Sequence, residues 1–141
     1  MTGSHERRVL LDTSVIIDPP VRGTASFADE VSVSAVTVGE LHYGVGASTD
    51  PVEQLHRRQR LQLVLDTYEV LPFDADVAES YGLLANVVRQ AGQDPRPRRM
   101  SLLIAATAVR YGFSLATRNA ADLRHLERVL TVVEVREHRL G

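Results

Sequence analysis

Val9-Leu10-Leu11-Asp12-Thr13-Ser14 is the stretch on which the fold turns. Three successive apolar residues read as a buried strand, and a short helix then begins at Thr13 that Pro19-Pro20 must stop or redirect. Asp12 therefore stands at the seam where a strand gives way to a helix. Two further stretches repeat the arrangement: Thr37-Val38-Gly39-Glu40-Leu41, and Leu115-Ala116-Thr117-Arg118-Asn119-Ala120-Ala121-Asp122-Leu123. In a parallel α/β sheet, strand ends and the helix starts that follow them converge on one edge, the usual place for a site. Acids far apart in sequence are then expected to meet there and to hold a hard cation.

Beyond that stretch, the chain keeps alternating. Residues 31–36 are β-branched and alternating, a second strand. A helix is expected over about 37–45, and Asp50-Pro51 starts another that runs to about residue 68. Residues 69–71 make a third strand, closed by Pro72. Val77, Tyr81, Leu84 and Val88 keep helical spacing, which predicts a helix over 74–91 with Asp74 as its cap. Residues 92–99 read as a loop, and 101–111 as an apolar, Ala-rich helix ended by Gly112. A fourth strand over 113–116, a short helix over 120–126 and a fifth strand over 129–135 complete the order. Repeated βα units predict one α/β domain over residues 1–141: three layers, with a mainly parallel sheet of four to five strands between helices.

At 141 residues such a domain buries roughly 70% of its unfolded surface without staples. The chain has no cysteine, which excludes disulfide, thiolate-zinc and Cys-nucleophile chemistry. No apolar run approaches the ~20 residues of a membrane span, and the N-terminal residues lack the apolar core of a signal peptide. A cytoplasmic location away from membranes is the expectation. Net charge is only −2, which argues against a generally basic nucleic-acid binder. All 16 basic residues are nonetheless Arg, whose planar fork grips phosphate oxygens in two places. The clusters Arg57-Arg58-Arg60 and Arg96-Arg98-Arg99 are candidates for a polyanion. The first interrupts an amphipathic pattern and reads more simply as a solvated helix face.

Each acid has an innocent reading. Asp12 would cap the helix after it, Thr37-x-x-Glu40 is a capping box, and Asn119-x-x-Asp122 has the same spacing. Together they weigh differently. Asp12 follows three apolar residues, where an unpaired carboxylate is expensive, and no Lys exists to neutralise it. Several acids on one edge without matching bases repel one another unless a cation is shared. Mg2+ or Mn2+ suits oxygen-only ligands and supports phosphodiester hydrolysis. A phosphate loop of the G-x-x-x-x-G-K-[ST] type is impossible without Lys. A signalling receiver domain, similar in size and order, also needs a Lys. The five histidines never fall at metal-ligand spacing.

At these residues the sequence resembles the PIN-domain family, and within it the VapC-type toxic ribonucleases of bacterial toxin–antitoxin pairs. The resemblance rests on Leu-Asp-Thr-Ser-Val at 11–15, Thr-Val-Gly-Glu-Leu at 37–41, Ser-Leu-Leu-Ile-Ala-Ala-Thr-Ala at 101–108 and Ala-Thr-Arg-Asn-Ala-Ala-Asp-Leu at 116–123. It implies a PIN-like fold and a Mg2+- or Mn2+-dependent endoribonuclease that cleaves cellular RNA. Asp12, Glu40 and Asp122 would be its acidic, metal-holding residues, with Thr13, Thr117 and Asn119 in support. It further implies a homodimer and a VapB-type antitoxin whose C-terminal segment occupies the catalytic groove. Ser101 departs from the pattern, because family members typically carry Asp there. Arg96, Arg98, Arg99 or Arg118 would then hold the RNA backbone. The alternative is a weakened or inactive PIN-fold protein that binds the antitoxin without turnover.

Overall fold

The computed structural model describes residues 6–136; His5 and His138, two of the histidines, lie outside them. Five strands form one sheet: β1 (Arg8–Leu11), β2 (Glu30–Ser34), β3 (Glu69–Leu71), β4 (Ser114–Thr117) and β5 (Val132–Glu134). Five helices accompany them: α1 (Thr13–Ile17), α2 (Ala35–Ala47), α3 (Pro51–Thr67), α4 (Ala75–Gln90) and α5 (Arg99–Tyr111). Two 3-10 segments, Arg96–Arg98 and Ala120–Leu126, complete the described chain.

The strand order is β3-β2-β1-β4-β5, and every neighbouring pair is parallel. β1 is central and buried on both faces, as its unbroken apolar run requires. Val9 and Leu11 pack on one side with Val15, Val33, Leu61, Val64 and Ala116. Leu10 packs on the other with Val77, Leu84, Leu102, Ile104 and Leu115. Two cores on opposite faces of one sheet make three layers. The order reverses beside β1: the chain first builds outward through β2 and β3, then returns to place β4 on the other flank. A crevice opens at such a reversal, beyond the carboxyl ends of the strands.

The helices follow from local chemistry. Val77, Leu84 and Val88 on α4 are almost completely buried, which stabilises the packing by roughly 1.5–3 kcal/mol for each large side chain. The Asp74 carboxylate accepts from Val77 N at 3.0 Å and caps the helix. Asp50 caps α3 in the same way, through Val52 N. Gly112 ends α5 at φ +73, a conformation open to glycine at little cost. Among the described residues, no helix is long and apolar enough to cross a membrane.

Three expectations need correction, and a fourth is met. The second strand stops at Ser34, and α2 begins at Ala35, because the Ser34 hydroxyl accepts from Val36 N at 3.1 Å and starts the helix early. That cap outweighs the β propensity of the following Val-Thr-Val. The 92–99 loop holds the Arg96–Arg98 turn, and α5 already includes Arg99 and Met100. The short helix expected over 120–126 is present with those bounds, Ala120–Leu126, as a 3-10 helix. The fifth strand is only Val132–Glu134.

Candidate active site

Asp12 lies between the ends of β1 and β4, 8% exposed, its backbone N donating to the Ala116 carbonyl at 2.9 Å. It stands at the N-cap position of α1, yet its side chain makes no capping bond. Its carboxylate instead receives two hydroxyls. Ser14 Oγ donates to Oδ2 at 2.6 Å and Thr117 Oγ1 donates to the same oxygen at 2.9 Å. Both hydroxyls are themselves fixed by backbone donors, Arg118 N on Ser14 Oγ and Asn119 N on Thr117 Oγ1, each at 3.1 Å. With those lone pairs occupied, each hydroxyl directs its proton at Asp12. Among the described residues no donor reaches Oδ1, and no basic side chain is bonded to this acid.

Glu40 comes to the same place from α2. Its Oε1 accepts from Thr13 Oγ1 at 2.7 Å, and Thr13 Oγ1 also lies 3.0 Å from Thr37 Oγ1. The capping-box reading of Thr37 and Glu40 therefore fails: the cap is Ser34, while Thr37 is fully buried inside the helix. Nor does the Asn119 side chain cap the turn that carries Asp122; only Asp122 N and the Asn119 carbonyl bond there, at 3.0 Å. Three capping explanations disappear. Thr13 couples the two acids, following Asp12 in the chain and bonding to Glu40 in space.

Asp122 is exposed on the second 3-10 segment, with Asn119 exposed beside its start. Among the described residues, no three His, Cys, Asp or Glu side chains come together as a metal-holding group. Ser101 is half-buried in the first turn of α5, next to Met100, which shares a cleft with Glu40. Thr13 thus links Glu40 to the chain beside Asp12, while no contact among the described residues brings Asp122 to either acid.

The arginines divide sharply. Arg118 is 7% exposed at its side chain and pairs with Asp18 at 3.4 Å. It also donates to the carbonyls of Asp18 and Val135. Its guanidinium is held within the fold by these bonds. Arg96 is 78% exposed but pairs with Asp94; Arg99 is exposed and Arg98 half-buried. Arg57 and Arg60, expected on a solvated face, instead line a cleft of about 290 Å3 with Thr13 and Glu40. Ser14 was also missed; its signal was the Asp-x-Ser spacing of 12 and 14, which lets a hydroxyl fold back on the carboxylate.

Residues 9–129 match the family model described as PIN domain. The chain is similar to Ribonuclease VapC4 of Mycobacterium tuberculosis, 36% identical across 80% of this chain and 87% of that one. It is similar also to the VapC ribonuclease Y4jK of Sinorhizobium fredii, 32% identical across 80% and 88%. Among solved structures, its fold is like that of VapBC-5 from Mycobacterium tuberculosis, a member of the VapBC family of toxin–antitoxin systems. There the TM-score is 0.78 at 30% identity, covering 92% of this chain and 98% of the other.

Proposed function

The chain belongs to the PIN domain family, and on that basis we propose that it is a VapC-type toxin, a metal-dependent endoribonuclease restrained by a VapB-type antitoxin. One observation carries the reading. A buried carboxylate, Asp12, sits at the reversal of the sheet with hydroxyl donors and no basic partner among the described residues, and the next residue, Thr13, donates to the half-buried Glu40. Two anions with an open oxygen each form an oxygen-only donor set of the kind Mg2+ or Mn2+ takes. Asp12 and Glu40 would hold the ion, and Asp122 would add negative charge from the rim. When bound, such a cation lowers the pKa of water and offsets charge building on phosphoryl oxygens.

The chain's own residues do the rest. Ser14 and Thr117 fix the rotamer of Asp12 through Oδ2 and leave Oδ1 without a donor among the described residues. Thr13 fixes Glu40. Preset orientation removes the cost of ordering these groups when substrate arrives. The named activity of the curated relatives, and the toxin–antitoxin setting of the similar solved structure, support the substrate and the partner. The proposal includes a homodimer and a cytoplasmic site of action.

A second reading is favoured by Ser101 and by the absence of a three-acid group among the described residues: a PIN-fold protein that engages an antitoxin without turnover. Cleavage of total RNA by the chain, by Asp12→Asn and by Ser101→Asp separates the two. The ribonuclease reading expects metal-dependent cleavage that Asp12→Asn abolishes. Cleavage that appears only in Ser101→Asp supports the second reading, and cleavage that persists in Asp12→Asn overturns the assigned site.

A further inference from the structure

We propose that Arg57 and Arg60 of α3 form a phosphate-gripping wall that seats the RNA strand beside Glu40, an inference that rests on the ribonuclease reading above. The cleft they line is shared with Glu40 and with Thr13, the neighbour of Asp12 in the chain. Three residues apart on a helix, they project to neighbouring positions. Arg58, between them, is exposed and forms no part of the wall.

The two arginines are prepared differently. Arg57 Nε donates to Glu53 at 3.0 Å and Nη1 donates to the Gly44 carbonyl at 2.6 Å. Those bonds hold the guanidinium in one orientation and leave Nη2 without a partner among the described residues. Arg60 is half-buried, makes no hydrogen bond or ion pair among the described residues, and stands where this cleft meets a more apolar one beside Val64 and Tyr68, so its charge is not spent on another side chain. Glu53 offsets Arg57, which makes Arg60 the net cation of this wall.

RNA needs such a wall. Its phosphates are repelled by Asp12 and Glu40, and only the bond being cut lies over the acids; the flanking phosphates require positive charge alongside. The other cleft that Glu40 borders is walled by Val36, Gly39, Tyr43, Met100 and Leu103, with no cation. Backbone held by charge therefore runs on the α3 side. Arg118 is bonded within the fold, and neither it nor Arg96 lines either of these two clefts.

The test is binding of a short fluorescent single-stranded oligoribonucleotide at several salt concentrations, in an Asp12→Asn background that removes turnover. Each phosphate deprived of its arginine should reduce the slope of log K against log salt by about 0.7. Arg60→Ala should show that reduction, Arg60→Lys should restore the slope by keeping the charge, and Arg58→Ala should leave it unchanged. In the chain with Asp12 intact, Arg60→Ala should raise KM and leave kcat largely in place. An unchanged slope in Arg60→Ala, or an equal loss in Arg58→Ala, overturns the wall while leaving the ribonuclease reading standing. If the chain with Asp12 intact neither binds nor cleaves RNA, both fall together.

Discussion

Asp12 owes its setting to hydroxyls rather than to charge. Ser14 and Thr117 converge on one carboxylate oxygen, and each is locked by a backbone N–H on its other side. Partners of this kind around a metal ligand are worth about 10–100-fold in metal affinity. Thr117→Val keeps the shape of a fully buried residue and removes the hydroxyl, so Mn2+ affinity measured by calorimetry should fall by about that factor. Unaltered affinity in a folded Thr117→Val protein would detach this hydroxyl from the site. Much of the pattern was legible in the residues themselves: an acid after three apolar residues, in a chain without Lys, has few other uses. The partners were not, because Thr117 lies 105 positions away in sequence and nothing local announces their contact. The capping readings of Glu40 and Asn119 erred for a related reason. Spacing alone cannot tell a cap from a side chain turned toward another element.

Among the helices and strands, capping decided more than propensity. Ser34 starts α2 inside a stretch whose β-branched residues favour a strand, and that shift moves Thr37 and Glu40 onto a helix beside Thr13. The α4 cap was plain in sequence, since Asp74 precedes a clear helical stripe. It also carries a pH signature. The Val77 backbone N–H, foremost, with the Tyr111 hydroxyl and nearby Arg110, holds the Asp74 carboxyl below the usual carboxylate range. A folded-state pKa below the unfolded one adds stability that is complete above the unfolded value. That stability is lost as pH falls through the folded value. Asp74→Asn retains a capping oxygen but cannot titrate, so the urea midpoint should fall less between the ordinary carboxylate pKa and more acid pH. An identical acid-side fall would show that Asp74 contributes nothing to it. The 3-10 turn at Arg96–Arg98 was illegible, whereas the short helix over 120–126 was legible in place and only its 3-10 character was not, because the two kinds of turn look alike in residue pattern.

For the whole molecule, repeated βα units imply the parallel sheet and its layers, but the order β3-β2-β1-β4-β5 arises only from packing. That order seats β4 beside β1 and so brings Thr117 to Asp12. It also explains how a chain of net charge −2 can address a polyanion: local arginines on one wall matter more than the total. Clustering in sequence singles out Arg57 and Arg60 together with Arg96, Arg98 and Arg99, but not which cluster borders Glu40, because a cleft is a property of three helices at once. If the β1–β4 crevice is the centre of a metal-dependent ribonuclease, its cuts must depend on a divalent ion. Cut sites mapped on total cellular RNA, in Mg2+, in Mn2+ and in chelator, decide the matter. Discrete cuts in either metal and none in chelator are predicted; cuts that persist unchanged in chelator would contradict it.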